Sequence, residues 1–427
     1  MPRSTPPLAL ARVGAAALAL SVLAAGCGRE EDAGDGAPVE ASAVAEGLAE
    51  GTITVWAMGT EGEQLEAIAA DFMAENPDST VDVTPVPWDA AHDKIATAIA
   101  SGDTPDVSLV GTTWMGEFAR TDALDPTPPD LIDESSFFEG SWSTTVVDDT
   151  SYGVPWYTET RVLYYRTDLA EEAGITEAPT DWEGLKALAE GVQEAGAEWG
   201  IYLQPGGAGT WQTFMPFAWQ AGAELVDGES FTLDTPEFVE ALEFYNSFYT
   251  EGLSPTGADP AIEQSFVGDK VGAFFSGPWH MSLITEAGGP EFADKWTVAT
   301  MPQQAAGTSF VGGGDLVVFK EGENREGGWK FVEYVSRPEV QQKFYGIVGA
   351  LPTTTEAWET GDLADDPMLA VFGDQLADAK SPPTIQTWEQ VASVIDGEIE
   401  KVTKAGLAPT EAAAAIQSGA ESIGTGS

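Results

Sequence analysis

Tryptophan carries the most chemistry in this sequence: there are 14, against 9 tyrosines. Several stand where a β-rich run ends. Trp56 closes the run that begins at Thr52, Trp88 follows Thr80–Val86, and Trp114 lies just after Asp106–Val110. Trp156 sits in Tyr152-Gly153-Val154-Pro155-Trp156-Tyr157 and Trp211 follows the Gly206–Gly209 loop. Trp279 follows Gly277-Pro278, and Trp388 follows Pro383–Thr387. In open α/β sheets ligands bind at the carboxyl ends of strands, so indoles there are placed for a solute. A sugar ring offers axial C–H groups to an aromatic face and hydroxyls at its rim. Indole plates flanked by Asp, Glu, Asn and Gln match both. On this reading Trp114, Trp211, Trp279 and Trp388 are ligand plates, while Trp56 and Trp88 fit plate and core equally. Trp182, Trp199, Trp296 and Trp329 fall within helical or strand patterns and are read as core.

Other chemistries find little support. The two histidines, His92 and His280, are far apart in sequence. Neither His-Glu-x-x-His, Gly-x-Ser-x-Gly nor Gly-x-x-x-x-Gly-Lys occurs, and no Gly-x-Gly-x-x-Gly follows a strand. The expectation is no cofactor, no metal and no catalytic residue. A glycosidase needs only two carboxylates about 5–10 Å apart, so a carbohydrate-active enzyme stays open as an alternative among 70 acids.

The elements that position these residues follow from periodicity. Glu63–Glu75 places Leu65, Ile68, Ala69, Phe72 and Met73 at helical spacing. Thr80–Val86 alternates as a strand, His92–Ser101 is helical, and Asp106–Val110 is a third strand. Strand–helix alternation implies βαβ units and a mostly parallel sheet. Beyond it, Gly153–Tyr165 is β-like and Thr180-Asp181-Trp182-Glu183 caps a helix through Glu194. Further helices are expected at Pro236–Glu251, Gly327–Val335, Glu339–Tyr345, Thr387–Lys404 and Thr410–Gln417. Lys270–Ser276 reads as a strand, and Phe310–Phe319 as one interrupted by Gly312-Gly313-Gly314.

The chain has 427 residues, 43% hydrophobic and 21% charged, which is a folded composition of two or three domains' length. With 18 Lys and Arg against 70 Asp and Glu, the formal charge is −52. Nucleic acid and anionic membrane surfaces are therefore poor partners. Val13–Ala25 is an unbroken apolar or small stretch after Arg3 and Arg12. It is too short for a bilayer, which needs about 20 residues, but suits a signal-peptide core of about 7–15. Leu23-Ala24-Ala25-Gly26-Cys27 resembles a bacterial lipobox, with Ala24 where Leu is usual. Residues 1–26 are thus expected to be a lipoprotein signal peptide, Cys27 the lipidated residue, and 27–51 a flexible acidic tether. The folded body would be extracytoplasmic, lipid-anchored to the cell membrane. Cys27 is the only cysteine, so an internal disulfide is ruled out.

Taken in order, Thr104-Pro105-Asp106-Val107, Tyr152-Gly153-Val154-Pro155 and Val162-Leu163-Tyr164-Tyr165-Arg166-Thr167-Asp168-Leu169 form a recognisable series. Pro179-Thr180-Asp181-Trp182-Glu183-Gly184-Leu185, Phe274-Phe275-Ser276-Gly277-Pro278-Trp279 and Gly349-Ala350-Leu351-Pro352 complete it. In these motifs residues 51–422 resemble the extracellular solute-binding proteins of bacterial ABC importers, in the maltose-binding-like sugar family. The resemblance implies an α/β, two-lobed periplasmic-binding-protein-like fold of type II, with parallel-dominated sheets flanked by helices and a three-stranded hinge. Lobe one would hold 51–156 plus 277–313, and lobe two 157–276 plus 314–427. Carried-over site positions are Glu61, Thr113, Trp114, Trp156, Glu159, Trp211, Trp279, Gly313, Asp315 and Trp388. The implied function is capture of a di- or oligosaccharide and delivery to ABC permease subunits, by a monomer. A polyol, glycerophosphodiester or peptide binder is the alternative outside sugars. The scarcity of basic residues argues against polyanionic ligands; Arg161, near the first crossing, is the exception that keeps a charged ligand open, and is otherwise read as a surface ion pair.

Overall fold

The fold comes from a computed structural model, which describes residues 41–128, 130–258 and 261–426. The segment expected to be a signal peptide, Cys27 and most of the expected tether lie outside the described residues. Alternation in the first β-rich run produces β1 (Gly51–Met58), with Ile53, Val55 and Ala57 turned inward. The helical spacing beyond it produces α1 (Gly59–Glu75), which buries Leu65, Ile68, Ala69 and Phe72 on one face. Burying each such large side chain contributes about 1.5–3 kcal/mol. β2 (Ser79–Val86), α2 (Trp88–Ser101) and β3 (Val107–Gly111) follow. Gly102 ends α2 in the left-handed conformation, φ 73°, where a side chain would be strained. β2 and β3 both pair parallel with β1, as two βαβ units require. The Asp106 carboxylate locks β3 to β1, accepting from the Thr54 N–H (2.7 Å) and hydroxyl (2.8 Å).

β4 (Val154–Thr160) and β5 (Val162–Arg166) are separated by Arg161 alone, yet they belong to different sheets. α3 (Trp182–Glu194) is capped by Asp181, which accepts from the Gly184 N–H at 2.7 Å. α4 (Thr210–Ala221) and α5 (Pro236–Thr250) come next, then β6 (Ala273–Ser276), α6 (Trp279–Gly288) and β7 (Trp296–Ala299). β6, β5 and β7 make an antiparallel three-stranded sheet with β5 in the middle. β8 (Ser309–Val318) then enters the first sheet. The rest comprises α7 (Arg325–Val335), α8 (Pro338–Val348), β9 (Leu351–Pro352), α9 (Pro367–Leu376), β10 (Ala379–Lys380), α10 (Trp388–Ala405) and α11 (Pro409–Ile423).

The larger sheet runs β9-β4-β8-β3-β1-β2, with β10 also paired to β8. It is mixed, which corrects the parallel-dominated expectation. Only a helical crossover obliges parallel pairing. β8 arrives from β7 without an intervening helix and inserts antiparallel to both β3 and β4. Nor is β8 broken by its three glycines. It is continuous, with a bulge between Gly314 and Asp315. Gly313 has φ 128°, and a Cβ there would stand 2.2 Å from the Tyr157 carbonyl oxygen, so glycine is what lets β4 and β8 close up.

The large sheet shares a core with α1, α7 and α8, including Leu65, Phe72, Leu109, Leu316, Trp329 and Phe344. α3, α4, α5, α10 and α11 supply a second core, including Leu185, Phe214, Phe217, Tyr245, Val391 and Ile416. A third surrounds β5 and β6, with Tyr164, Phe266 and Phe274.

Candidate functional site

β1 runs directly into α1 through Gly59, φ 63°. A Cβ on Gly59 would lie 2.8 Å from Trp88 Nε1 and 3.0 Å from Glu61 Oε2, so the indole and the carboxylate both close on this glycine. Glu61 occupies the first turn of α1, where the helix dipole favours negative charge. Burial lifts its carboxyl above the usual range, its own backbone N–H works against the rise, and Glu159 adds to it. Trp88 opens α2 and is 37% exposed. Its ring meets Trp114 edge-on at 5.6 Å, and Trp114 in turn packs against His92 at 5.3 Å. Thr113 and Trp114, both half-buried, form a single helical turn directly after β3.

Across β4, Tyr157 and Glu159 lie on one face by the two-residue period of a strand. Burial, then the charges of Glu61, Glu159 and Asp315, push the Tyr157 phenol well up, so these carboxylates share one neighbourhood. Arg161 continues the same alternation. Its Nη2 donates to Gln212 Oε1 at 2.9 Å and reaches Glu159 Oε1 at 3.4 Å. The guanidinium lies 4.8 Å from the Trp279 ring centre, a cation–π distance. Trp279 opens α6 and is 40% exposed. Beside it, His280 Nδ1 is 2.6 Å from the Ser276 hydroxyl, and its Nε2 is 3.9 Å from Glu263. Burial drives His280 down to about 4, against the upward pull of Glu263, so the ring is neutral at physiological pH. A cavity of about 180 Å³ opens here, lined by Arg161, Gln204, Gln212, Ser276, Trp279 and His280 among others.

Of the expected set, the structure thus places Glu61 and Trp114 around Trp88, and Glu159 and Trp279 around Arg161, with Glu61 and Glu159 acting on each other electrostatically. Gly313 lies against the backbone of Tyr157. Trp211, 4% exposed, lines a separate cavity of about 310 Å³ with Asp396, whose carboxylate accepts from the N–H groups of Gly209 and Trp211. Three expected residues are corrected. Trp156 is 2% exposed and stacks on Phe344 at 4.7 Å, because inward positions of β4 face α8. Trp388 is 1% exposed and meets Trp211 edge-on at 5.2 Å, because it starts the apolar face of α10. Asp315 is fully buried beside the bulge and accepts from the Thr144 hydroxyl, and burial raises its carboxyl to about 8. Arg161 is corrected in the opposite sense. It is only 9% exposed, not a surface residue.

Sequence reasoning passed over Tyr157, Gln212 and His280 and left Trp88 undecided. The two-residue spacing of Tyr157, Glu159 and Arg161 was a usable signal, as was the adjacency of Gln212 to Trp211 and of His280 to Trp279.

The sequence pattern of the bacterial extracellular solute-binding proteins matches residues 57–342, and the chain belongs to that family. A putative binding protein of Brucella abortus (strain 2308) is 30% identical over 352 residues, 80% of this chain and 85% of the relative. The diacetylchitobiose binding protein DasA of Streptomyces coelicolor is 30% identical over 330 residues, 72% of this chain and 73% of DasA. Among solved structures, the sugar-binding protein MalE of Xanthomonas citri superposes with a TM-score of 0.83 at 32% identity, covering 87% of this chain and 97% of MalE. The fold is therefore the MalE-like type II fold, as the sequence motifs implied.

Proposed function

We propose that this chain is the carbohydrate-capturing component of an ABC importer, taking a di- or oligosaccharide between two lobes and passing it to a membrane permease. The lobes follow the cores: the large sheet with α1, α7 and α8 makes lobe one, and the β6-β5-β7 sheet with α3, α4, α5, α10 and α11 makes lobe two, so that 296–299 and 314–348 change sides relative to the bounds the motifs implied. The observation that carries the reading is the pair of partly exposed tryptophans set beside polar side chains, Trp88 with Glu61 at Gly59, and Trp279 with Arg161, Glu159 and Gln212. Each indole offers an apolar face that a solute can cover, and the side chains beside them are hydrogen-bonding groups, which match hydroxyls. The relatives named for diacetylchitobiose and for sugar point the same way.

Sugar stacks on the indoles while the carboxylates accept its hydroxyls, and differential affinity for the closed arrangement draws the lobes together. The Arg161 step between the two sheets serves as one hinge crossing. Lipidation of Cys27 and the acidic tether hold a monomeric body at the outer membrane face. The sugar leaves unaltered, so no catalytic residue is assigned.

The test is a thermal-shift screen of the purified chain against mono-, di- and trisaccharides, polyols, glycerophosphodiesters and peptides. A ligand at 100 times its dissociation constant stabilises a fold by about 2.7 kcal/mol. A rise confined to a sugar class, with that sugar recovered intact, is expected. A rise with a non-sugar solute alone, or turnover of the sugar, refutes the proposal.

A further inference from the structure

The first turn of α4 carries Gln212, whose Oε1 accepts from Arg161 Nη2 at 2.9 Å, and the Arg161 guanidinium in turn lies 4.8 Å from the Trp279 ring centre. What fixes that turn is not local. A helix start leaves N–H groups without partners, and a Ser, Thr, Asp or Asn just before it normally accepts from them. Here that position is Gly209, φ 82°, which has no side chain to offer. Asp396 of α10 stands in for it. Its Oδ2 accepts from the Gly209 N–H at 2.8 Å and its Oδ1 from the Trp211 N–H at 2.7 Å. The residue is only 8% exposed, and two charge-assisted bonds compensate the burial of the carboxylate. The loop before α4 follows the same face of α10. A Cβ on Gly206 would stand 2.6 Å from the Glu400 Cβ, and the Thr403 hydroxyl donates to the Pro205 carbonyl. Asp396, Glu400 and Thr403 are spaced i, i+4, i+7, which is one stripe of a helix. Asp396 lines the 310 Å³ cavity and is not among the residues lining the one beside Trp279.

We propose that Asp396 is a positioning residue for solute binding: it holds the first turn of α4 in the place from which Gln212 aims the Arg161 guanidinium beside Trp279. The inference rests on the reading of the chain as a carbohydrate binder with Trp279 as a plate. Gln212 is the third residue of α4, so fraying of that turn moves its side chain directly. Two N–H donors need two acceptor oxygens. A carboxylate supplies both, asparagine supplies one and turns an NH2 group towards the other donor, and alanine supplies none. A graded loss follows from that count. Asp181 is the matched comparison. It caps α3 in the same core, accepting from the Gly184 N–H at 2.7 Å, and makes no contact with Arg161 or Gln212 through that bond.

The full chain and its Asp396→Asn, Asp396→Ala, Gln212→Ala, Asp396→Ala/Gln212→Ala and Asp181→Ala variants are titrated calorimetrically with maltose, cellobiose and diacetylchitobiose, and melted without sugar. For whichever sugar binds, Asp396→Ala should weaken affinity about fivefold or more, the scale of a lost helix cap, and Asp396→Asn should weaken it less. Asp181→Ala should lower the melting temperature and leave affinity within twofold of wild type. Because Asp396 acts through Gln212, the double variant should bind within twofold of Gln212→Ala alone. Asp396→Ala within twofold of wild type overturns the inference. So does a weakening that multiplies with that of Gln212→Ala, or an equal weakening by Asp181→Ala. If Asp396→Ala does not fold, Asp396→Asn within twofold of wild type overturns it equally. Failure of all three sugars to bind wild type instead overturns the underlying carbohydrate reading. Amide hydrogen exchange over 207–213 then still decides on the hold itself: faster exchange in Asp396→Asn supports it, and unchanged exchange refutes it.

Discussion

Replacing Trp279 with alanine separates a ligand plate from a structural tryptophan. The side chain is 40% exposed, and its ring rests on Gly277 and the Arg161 guanidinium instead of in a core cluster. A tryptophan presents up to about 250 Å², so about 100 Å² is open to a solute. At about 25 cal/mol per Å² a sugar face covering that area gains at most ~2.5 kcal/mol, and about 1 kcal/mol if it covers less than half. The dissociation constant should therefore rise about 5- to 70-fold, since 1.4 kcal/mol is a factor of ten. Folding of the free protein should weaken by less than the about 3–5 kcal/mol that a core tryptophan costs, because the ring is only partly buried and lies outside the core clusters. Calorimetric titration with the sugar found by the thermal-shift screen gives the first number and a melting curve of the unliganded protein the second. Affinity within twofold of wild type refutes the stacking argument. A large fall in unliganded melting temperature would show that Trp279 belongs to the fold instead.

Trp388→Ala should behave in the opposite way: a fully buried ring lost from the core costs about 3–5 kcal/mol, read by denaturant unfolding, and a stable variant with weakened sugar binding would return Trp388 to the site. Asp315 predicts a pH dependence. Burial raises its folded carboxyl from 3.8 to about 8, so the native state holds a proton that the unfolded chain releases. Stability from this group is fully present below pH 3.8 and is lost as pH rises through about 8. Asp315→Asn keeps an acceptor for Thr144 and should flatten the fall in melting temperature across that window. An unchanged pH profile would show that Asp315 is ionised in the fold.

The elements built from local periodicity were legible: β1 through β3 with α1 and α2, and α3, α5, α7, α8 and α10, appear within a few residues of their sequence patterns. What was not legible depended on long-range placement. The helix α4 escaped because Pro216 and its all-round apolar composition hide any amphipathic period. The antiparallel entry of β8 is set by partners more than 150 residues away, which no local pattern encodes. The site divides on the same line. Glu61, Trp114, Glu159 and Trp279 lie at strand ends or on an outward strand face, where sequence position predicts exposure. Trp156 and Trp388 sit equally close to such ends, but Phe344 and the α10 core cover them. An indole at a strand end can be a plate or a plug, and only its neighbours decide.

A glycine decides it for the three plates that remain. Each site tryptophan lies against a glycine: Trp88 against Gly59, Trp114 against Gly111 and Trp279 against Gly277. Lacking a Cβ, the glycine lets the indole lie against the main chain, which fixes where the ring stands. The fits differ in tightness, so the argument predicts a graded response. A Cβ on Gly277 would stand 2.0 Å from the Trp279 ring, an overlap that only rotation of the indole can relieve. A Cβ on Gly111 would stand 3.3 Å from the Trp114 ring, which a shift of tenths of an ångström accommodates. Gly277→Ala should therefore weaken sugar binding about as much as Trp279→Ala, by roughly 1–2.5 kcal/mol, because the plate is present but turned away. Gly111→Ala should stay within about 0.5 kcal/mol of wild type, the ordinary range for a tolerated change. Neither residue has a positive φ, so backbone strain does not confound the comparison. Titration of both variants with the same sugar checks the order, and equal affinities would show that the glycines do not set the plates.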